Sequence, residues 1–247
     1  MNDPNQLPTF GAITRPPRDL VEQFKGVSTS AIGSVLDEMG ITGIVLNIKP
    51  LVPGSHFVGT AYTVKQVTGA YGSYPPLGLA LSAVVDNACS GDVIMIDNGG
   101  QQVSTWGGLA AIAAKLRGVE GLVVDGGIRD RDEIIGHGFP AFSRHVVALS
   151  GRTRIKIIEI NTIVKIDGVK VAPGDIIVAD GTGVACIPQA VAQKVLLAAK
   201  ELEENDRRAL SHIMAGSDFR SAIFNKYYAD GEFEDPADRR EGYRASR

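Results

Sequence analysis

The chain has 247 residues, enough for one large domain or two small ones. Hydrophobic residues at 44% and charged residues at 21% are the proportions of a folded globular protein, so general disorder is excluded. A net charge of −3 argues against a nucleic-acid partner, which would need a basic face for the phosphates.

The amino-terminal lead-in through Pro17 is polar and proline-broken, without the basic and apolar regions of a signal peptide. Arg18 to Lys25 reads as a short helix. Ser28, Thr29 and Ser30 supply hydroxyls for an N-cap; Ile32, Val35, Leu36 and Met39 then share one helical face, which Gly40 ends. From Ile44 to Val67 the pattern changes to short β-like runs broken by Pro50, Pro53 and Gly59, with Ala61 to Val67 the clearest strand. A loop from Gly69 to Pro76 leads into an apolar helix from Leu77 to about Cys89. Asp92 to Asp97 reads as a buried strand, followed by a glycine-rich loop and a helix from Gly107 to Leu116. Gly121 to Asp125 is the next strand and ends in Gly126-Gly127-Ile128-Arg129-Asp130. Further strands are expected at Ile155 to Ile160, Thr162 to Ile166, Ile176 to Ala179 and Val184 to Ile187, with turns at Asp167-Gly168 and Pro173-Gly174-Asp175. Gln189 to about Met214 is a long amphipathic helix, and Ala215 to Arg247 is charged and aromatic with little periodicity. Strands alternating with helices through the centre predict an α/β fold, a sheet with covering helices. No stretch approaches the ~20 apolar residues that span a bilayer, so a soluble cytoplasmic protein without a membrane partner is expected.

Most familiar catalytic motifs are missing: there is no GxSxG, HExxH, P-loop or GxGxxG after a strand. Asp180-Gly181-Thr182-Gly183 lacks a third glycine and reads as a turn between strands. Cys89 and Cys186 have no zinc or redox spacing and read as small buried hydrophobes. His56, His137, His145 and His212 have no ligand spacing and read as surface or capping residues. Lys65, on a strand, is the candidate for a Schiff-base lysine, although most strand lysines simply reach solvent. Two segments remain. The first runs from Asn98-Gly99-Gly100 to Thr105-Trp106-Gly107-Gly108-Leu109-Ala110, where a helix opening at glycines offers unpaired amides to a carboxylate or phosphate. The second is Asp125-Gly126-Gly127-Ile128-Arg129-Asp130 at the carboxyl end of a strand, where open α/β sheets place ligands. Arg129 offers a planar fork for an anionic oxygen, and Asp130 a hard oxygen ligand for Mg²⁺ or Mn²⁺. On spacing alone, a tight turn with a surface arginine and a helix-capping aspartate accounts for this second segment equally well.

Trp106-Gly107-Gly108-Leu109-Ala110, Gly118 to Asp130, and Gly138-Phe139-Pro140-Ala141-Phe142 resemble the RraA-like family of 4-hydroxy-4-methyl-2-oxoglutarate / 4-carboxy-4-hydroxy-2-oxoadipate aldolases. Gly59 to Val64 and Val171 to Asp180, with Gly183, Val184 and Pro188, extend the likeness, which runs from about Ser28 to Ala215. The resemblance implies an α/β sandwich of the swivelling β/β/α type, assembled as a homotrimer or homohexamer with sites between subunits. It implies a metal-dependent (class II) pyruvate aldolase with an oxaloacetate decarboxylase side activity. Arg129 would bind the 2-oxoacid substrate, Asp130 would be the one direct protein ligand to the metal, and Gly107, Gly108, Leu109 and Ala110 would hold the substrate by their amides. A catalytic acid from a neighbouring subunit would come from Glu203, Glu204 or Asp206 on the C-terminal helix, with Glu204 the working choice. One departure stands out: some aldolases of the family carry an acid where this chain has Gly108. The regulator branch of the family, which binds a ribonuclease or helicase, is the alternative role. Residues 1–214 would form the aldolase domain. Residues 215–247 would form an extension, with Phe219 to Tyr228 as an inter-subunit arm and Asp235 to Arg247 as a flexible end.

Overall fold

A computed structural model describes residues 8–227; Tyr228, Phe233 and the segment 235–247 lie outside the described residues. The described chain divides into two compact units, the first ending at Ala199 and the second beginning at Lys200.

The first unit is built on one ten-stranded sheet. Its spine is β4 (Phe57–Thr68), flanked in parallel by β5 (Asp92–Trp106), β6 (Gly121–Ile128) and β7 (Ala141–Val146). Residues of both faces of these strands are buried, which explains their near-continuous apolar runs. On the other edge of β4, β11 (Ile176–Ala179) pairs with its first half and β8 (Ile155–Ile160) with its second, both antiparallel. β12 (Val184–Ile187) and β2 (Ile44–Val45) continue beyond β11; β3 (Lys49–Pro50) closes the far edge on β7, and β1 (Thr9–Phe10) adds to β8. One face packs on α3 (Leu77–Asn87), α4 (Gly108–Leu116) and α5 (Arg131–His137), where Val84, Ala111 and Ile134 meet Tyr62, Ile94 and Leu122. The other face is covered by a hairpin of β9 (Val164–Ile166) and β10 (Val169–Val171), whose four valines and isoleucines meet Ala61, Met95 and Val123. Two further helices, α1 (Arg18–Glu22) and α2 (Thr29–Glu38), lie between β1 and β2; Ser28 caps α2 by accepting from the Ala31 amide.

This is the expected α/β architecture, with differences at the glycines. Gly59 does not break a strand but lies inside β4, where a Cβ would come within 2.6 Å of the Gly91 carbonyl and 2.8 Å of Val93. Pro50, also read as a breaker, sits in the edge strand β3, where proline is tolerated. The glycine-rich segment after Asp97 is not a free loop. β5 continues to Trp106 with three register shifts against β6, and Gly99 and Gly100 take positive φ there. Gly126, Gly127 and Ile128 likewise belong to β6: a Cβ on Gly126 would press on Asn98 at 2.9 Å, and one on Gly127 on the Val103 carbonyl at 2.8 Å. Only Arg129 and Asp130 leave the strand. Cys89 is exposed, in the turn where its amide donates to Asp92; Cys186 is buried as expected, and burial pushes its thiol pKa up.

The second unit holds the remainder of α6 (Ala192–Met214) and α7 (Phe219–Tyr227), a helix where the aromatic segment showed little periodicity. Ala222 is fully buried, and Lys226 pairs with Asp206. No described helix is long and apolar enough to cross a membrane.

Candidate functional site

The site forms where the parallel strands β5 and β6 end side by side. Trp106, last in β5, is 1% exposed and stacks on Phe139 with centroids 6.5 Å apart. It pairs with Ile128, last in β6, and its carbonyl accepts the Arg129 amide at 3.0 Å. The two segments singled out from the sequence therefore leave the sheet from one locked corner.

Gly107 occupies the N-cap position of α4 without a side-chain cap, so the amides of the first turn point out of the helix with no intrahelical acceptor. Gly108's amide donates to Asp130 Oδ2 at 3.2 Å, which leaves Leu109 and Ala110 to offer their amides to a ligand. Both glycines stand at close approach: a Cβ on Gly107 would displace Asp130 Oδ2, and one on Gly108 would displace the Glu133 carboxylate. Glu133 thus fills the space in which an acid at position 108 would stand. Leu109 is 84% exposed, an unusual placement for leucine at a helix start.

Asp130 holds the N-cap position of α5, but not as a cap. Its backbone is left-handed (φ 56, ψ 42) and its side chain makes no capping bond. An N-cap aspartate ordinarily keeps extended backbone and accepts from its own helix's first amides. Here the carboxylate turns across to α4, with Oδ2 on the Gly108 amide and 3.4 Å from Arg129 Nε. No described protein donor reaches Oδ1. A left-handed non-glycine residue costs about 1–3 kcal/mol and persists where the surroundings impose it, often at functional sites. The helix-capping account of this aspartate is therefore set aside.

Two clefts meet at Arg129 and Gly107. One, of about 380 Å³, is lined by Leu81, Val85, Asp86, Leu109, Arg129 and Asp130. The other, of about 540 Å³, is lined by Tyr71, Leu81, Thr105, Arg129, Ser150 and Arg152 among others. No group of three or more His, Cys, Asp or Glu residues that could hold a metal exists among the described residues. The donor set suits a different kind of site. A single carboxylate with one uncommitted oxygen, about a third exposed at a cleft, fits Mg²⁺ or Mn²⁺ whose other ligands are water and substrate oxygens.

Lys65, the histidines and Asp180 do not line these clefts. Lys65 pairs with Glu159 at 3.9 Å and lines neither cleft. His145 sits against the Gly100 carbonyl at 3.1 Å, His56 and His212 are exposed, and His137 closes α5. Asp180 caps the turn it was read as: its carboxylate accepts from the Thr182 and Thr29 amides. Glu203, Glu204 and Asp206 lie on α6 in the second unit, with Glu204 paired to Arg207 and Asp206 to Lys226. Tyr71, Leu81, Glu133 and Arg152 were not read from the sequence. Tyr71, Leu81 and Arg152 come from segments without a motif and reach this corner through long-range contacts, whereas Glu133 follows Asp130 by three residues on α5.

Known proteins agree with this architecture. A candidate 4-hydroxy-4-methyl-2-oxoglutarate aldolase of Halalkalibacterium halodurans is 36% identical over 203 residues, covering 80% of this chain and 91% of that one. Protein DlpA of Legionella pneumophila is 32% identical over 83% of this chain, which spans only 33% of DlpA's length. An uncharacterized protein of Pseudomonas syringae has a solved structure that matches with a TM-score of 0.76 at 31% identity, over 85% of this chain and 99% of that one. RraAS2 of Streptomyces coelicolor, an unusual member of the RNase ES inhibitor RraA protein family, matches with a TM-score of 0.70 at 26% identity, over 78% and 96%. The RraA-like family (Aldolase/RraA) matches residues 32–186, and this chain belongs to it.

Proposed function

We propose that this protein is a divalent-metal-dependent (class II) aldolase. It cleaves a 4-hydroxy-2-oxoacid, such as 4-hydroxy-4-methyl-2-oxoglutarate or 4-carboxy-4-hydroxy-2-oxoadipate, to pyruvate and a second oxoacid. The observation that carries this reading is Asp130: a left-handed aspartate whose carboxylate is withheld from capping and left at a cleft beside Arg129. The aldolase-named relative at 36% identity supports the reaction class.

Cleavage of the C3–C4 bond leaves its electron pair on pyruvate as an enolate, while the C4 hydroxyl loses its proton and becomes the carbonyl of the second product. Mg²⁺ or Mn²⁺ at Asp130, when bound, supplies a Lewis acid for the charge that develops. Arg129 sets a fixed positive charge and a bidentate donor at the same end of the substrate, a contribution of about 3–4 kcal/mol to the barrier in comparable sites. The amides of Leu109 and Ala110 hold the C1 carboxylate at the positive end of α4. A homotrimer or homohexamer completes the site, with an acid of a neighbouring subunit, drawn from Glu203, Glu204 or Asp206, receiving the hydroxyl proton through water. Oxaloacetate decarboxylation gives the same enolate, so the same residues serve it as a side activity.

A second reading, a regulator that binds a ribonuclease or helicase, is favoured by the likeness to RraAS2. An assay separates the two: pyruvate release from 4-carboxy-4-hydroxy-2-oxoadipate and 4-hydroxy-4-methyl-2-oxoglutarate, with Mg²⁺ and with excess EDTA. Release that requires the metal is expected. No release from either oxoacid, together with inhibition of a ribonuclease, would overturn the aldolase reading.

A further inference from the structure

Two carboxylates of α5 turn away from their own helix and toward the opening of α4. Asp130 is the one already described. Glu133 is the other, at the third position of α5, where a glutamate ordinarily reaches back to the amide of the N-cap residue. Here it makes no hydrogen bond or ion pair among the described residues and folds over Gly108 instead. We infer that Glu133 is a positioning residue of this site, whose carboxylate accepts a hydrogen bond from a water on the divalent ion at Asp130. The inference rests on the metal-dependent reading above for the ion, and on the packing at Gly108 for the residue.

Three observations carry it. First, the space is made by a missing side chain. A Cβ on Gly108 would meet Glu133 Oε2, and would lie 2.9 Å from the Glu133 Cβ and 3.0 Å from its carboxyl carbon. Gly108 is the first residue of α4 and is not among the glycines with positive φ, so close approach, not backbone freedom, is what glycine provides there. Second, both carboxylates of α5 converge on that one residue. The Gly108 amide donates to Asp130 Oδ2 at 3.2 Å, while the Glu133 carboxylate stands where its side chain would be. Glu133 is thus carried to the turn that holds the proposed metal ligand, on a helix that begins at that ligand. Third, the site lacks acceptors. Mg²⁺ or Mn²⁺ with a single carboxylate ligand keeps several waters, and the groups that hold those waters tune its affinity. One oxygen of Asp130 already accepts from Gly108 and the other has no described protein donor, whereas both oxygens of Glu133 are uncommitted. Glu133 is the acceptor that this turn supplies, and glycine at 108 is what admits it.

Metal binding tests this without any substrate. Calorimetric titration of the full-length protein with Mn²⁺ is expected to show binding that is lost in Asp130→Asn and weakened about tenfold in Glu133→Gln, the size typical when an outer partner of a metal site is removed. The Tm of the metal-free protein should be nearly the same with and without Glu133→Gln. A relocation variant separates this role from helix capping. In Gly108→Asp/Glu133→Gly the acid returns from the α4 side and the 2.9 Å contact is removed, so Mn²⁺ affinity should recover in part. In Gly108→Asn/Glu133→Gly it should stay weak. Equal Mn²⁺ affinity in the unmodified protein and in Glu133→Gln, with Asp130→Asn still deficient, would overturn the role of Glu133 and leave the metal reading intact. Recovery in the asparagine pair as full as in the aspartate pair would also overturn it, because packing and not the carboxylate would then explain the loss. Mn²⁺ binding that is absent from the unmodified protein, or indifferent to Asp130, would overturn both.

Discussion

Asp130 and Asp167 are both left-handed, with φ of 56 and 51, and both stand near an arginine, yet their carboxylates have opposite fates. Asp167 turns the β9–β10 hairpin with Gly168, whose φ is 86; two-residue hairpin loops of this kind require positive φ at both positions. Its carboxylate is fully engaged, accepting from the Leu46 and Asn47 amides, the Asn47 side chain and Arg144. Arg144 in turn donates to Asp125 at 2.7 Å, and Asp125 accepts the Asp167 amide at 2.7 Å, closing a ring. Asp130 has no hairpin to explain its backbone, and one of its oxygens has no described protein donor. An aspartate beside an arginine is structural when its acceptors are used within the chain, and available for chemistry when they are not.

Exchanging the two carboxylates for neutral groups should break the pair in opposite ways, and this is the largest expected effect. Asp130→Asn and Asp130→Gly should lower pyruvate release on the order of a thousandfold, with Tm within a few degrees of the unmodified protein, since both residues accept left-handed backbone. Asp167→Ala should leave activity per folded molecule nearly intact but cost about 1–3 kcal/mol of stability in denaturant unfolding. Full activity of Asp130→Asn, or a neutral Asp167→Ala, would remove the distinction.

Arg129 sharpens the comparison further. Lysine keeps the charge but loses the fork, so Arg129→Lys should reduce kcat/KM about a hundredfold while unfolding at the same denaturant concentration. Its structural counterpart Arg144 should show the reverse, a loss of stability with little change in turnover.

Gly107 and Gly108 come next. Gly107→Ala displaces Asp130 Oδ2 and should lower metal affinity measured with Mn²⁺. Gly108→Ala meets both the Glu133 carboxylate and, at 2.9 Å, the Glu133 Cβ, so its defect should be relieved only in part in a Gly108→Ala/Glu133→Ala double variant. An additive double variant would show that the two side chains do not compete for one space.

Much of this was legible in the sequence, for reasons that stop at identifiable residues. Apolar runs such as Val93 to Ile96 and Leu122 to Val124 mark buried parallel strands, and Ser28 marks a helix start. The glycines misled, because Gly59, Gly126 and Gly127 serve close packing between strands rather than turns, and no single sequence distinguishes the two uses. Arg129 and Asp130 are marked by their place after a strand, but the turned-away carboxylate depends on Gly108, 22 residues earlier. Arg152 carried no local signal at all; only the pinning of the 150–154 turn to Ser104 and Leu77 puts it beside Arg129.

The smallest expected effect is in acid. Burial alone would raise the pKa of Asp167, but hydrogen bonds from Asn47, Arg144 and Leu46 outweigh it and hold the carboxyl well below the usual range. Its stabilisation is therefore present above the unfolded value of about 4 and is lost as pH falls below it. Asp167→Asn should flatten the fall in unfolding free energy between about pH 5 and pH 3. Truncation after Ala215, which removes α7 with Phe219 and Phe224, should shift sedimentation toward smaller species and lower activity in proportion.

The central claim is that Asp130 and Arg129 serve a pyruvate enolate, and exchange of the pyruvate methyl protons with D₂O tests it without any assumption about the full substrate. Proton NMR should show exchange that requires Mg²⁺ or Mn²⁺, stops with excess EDTA, and is lost in Asp130→Asn and Arg129→Lys. Exchange that continues unchanged in Asp130→Asn, or that never exceeds the rate without protein, would contradict the account.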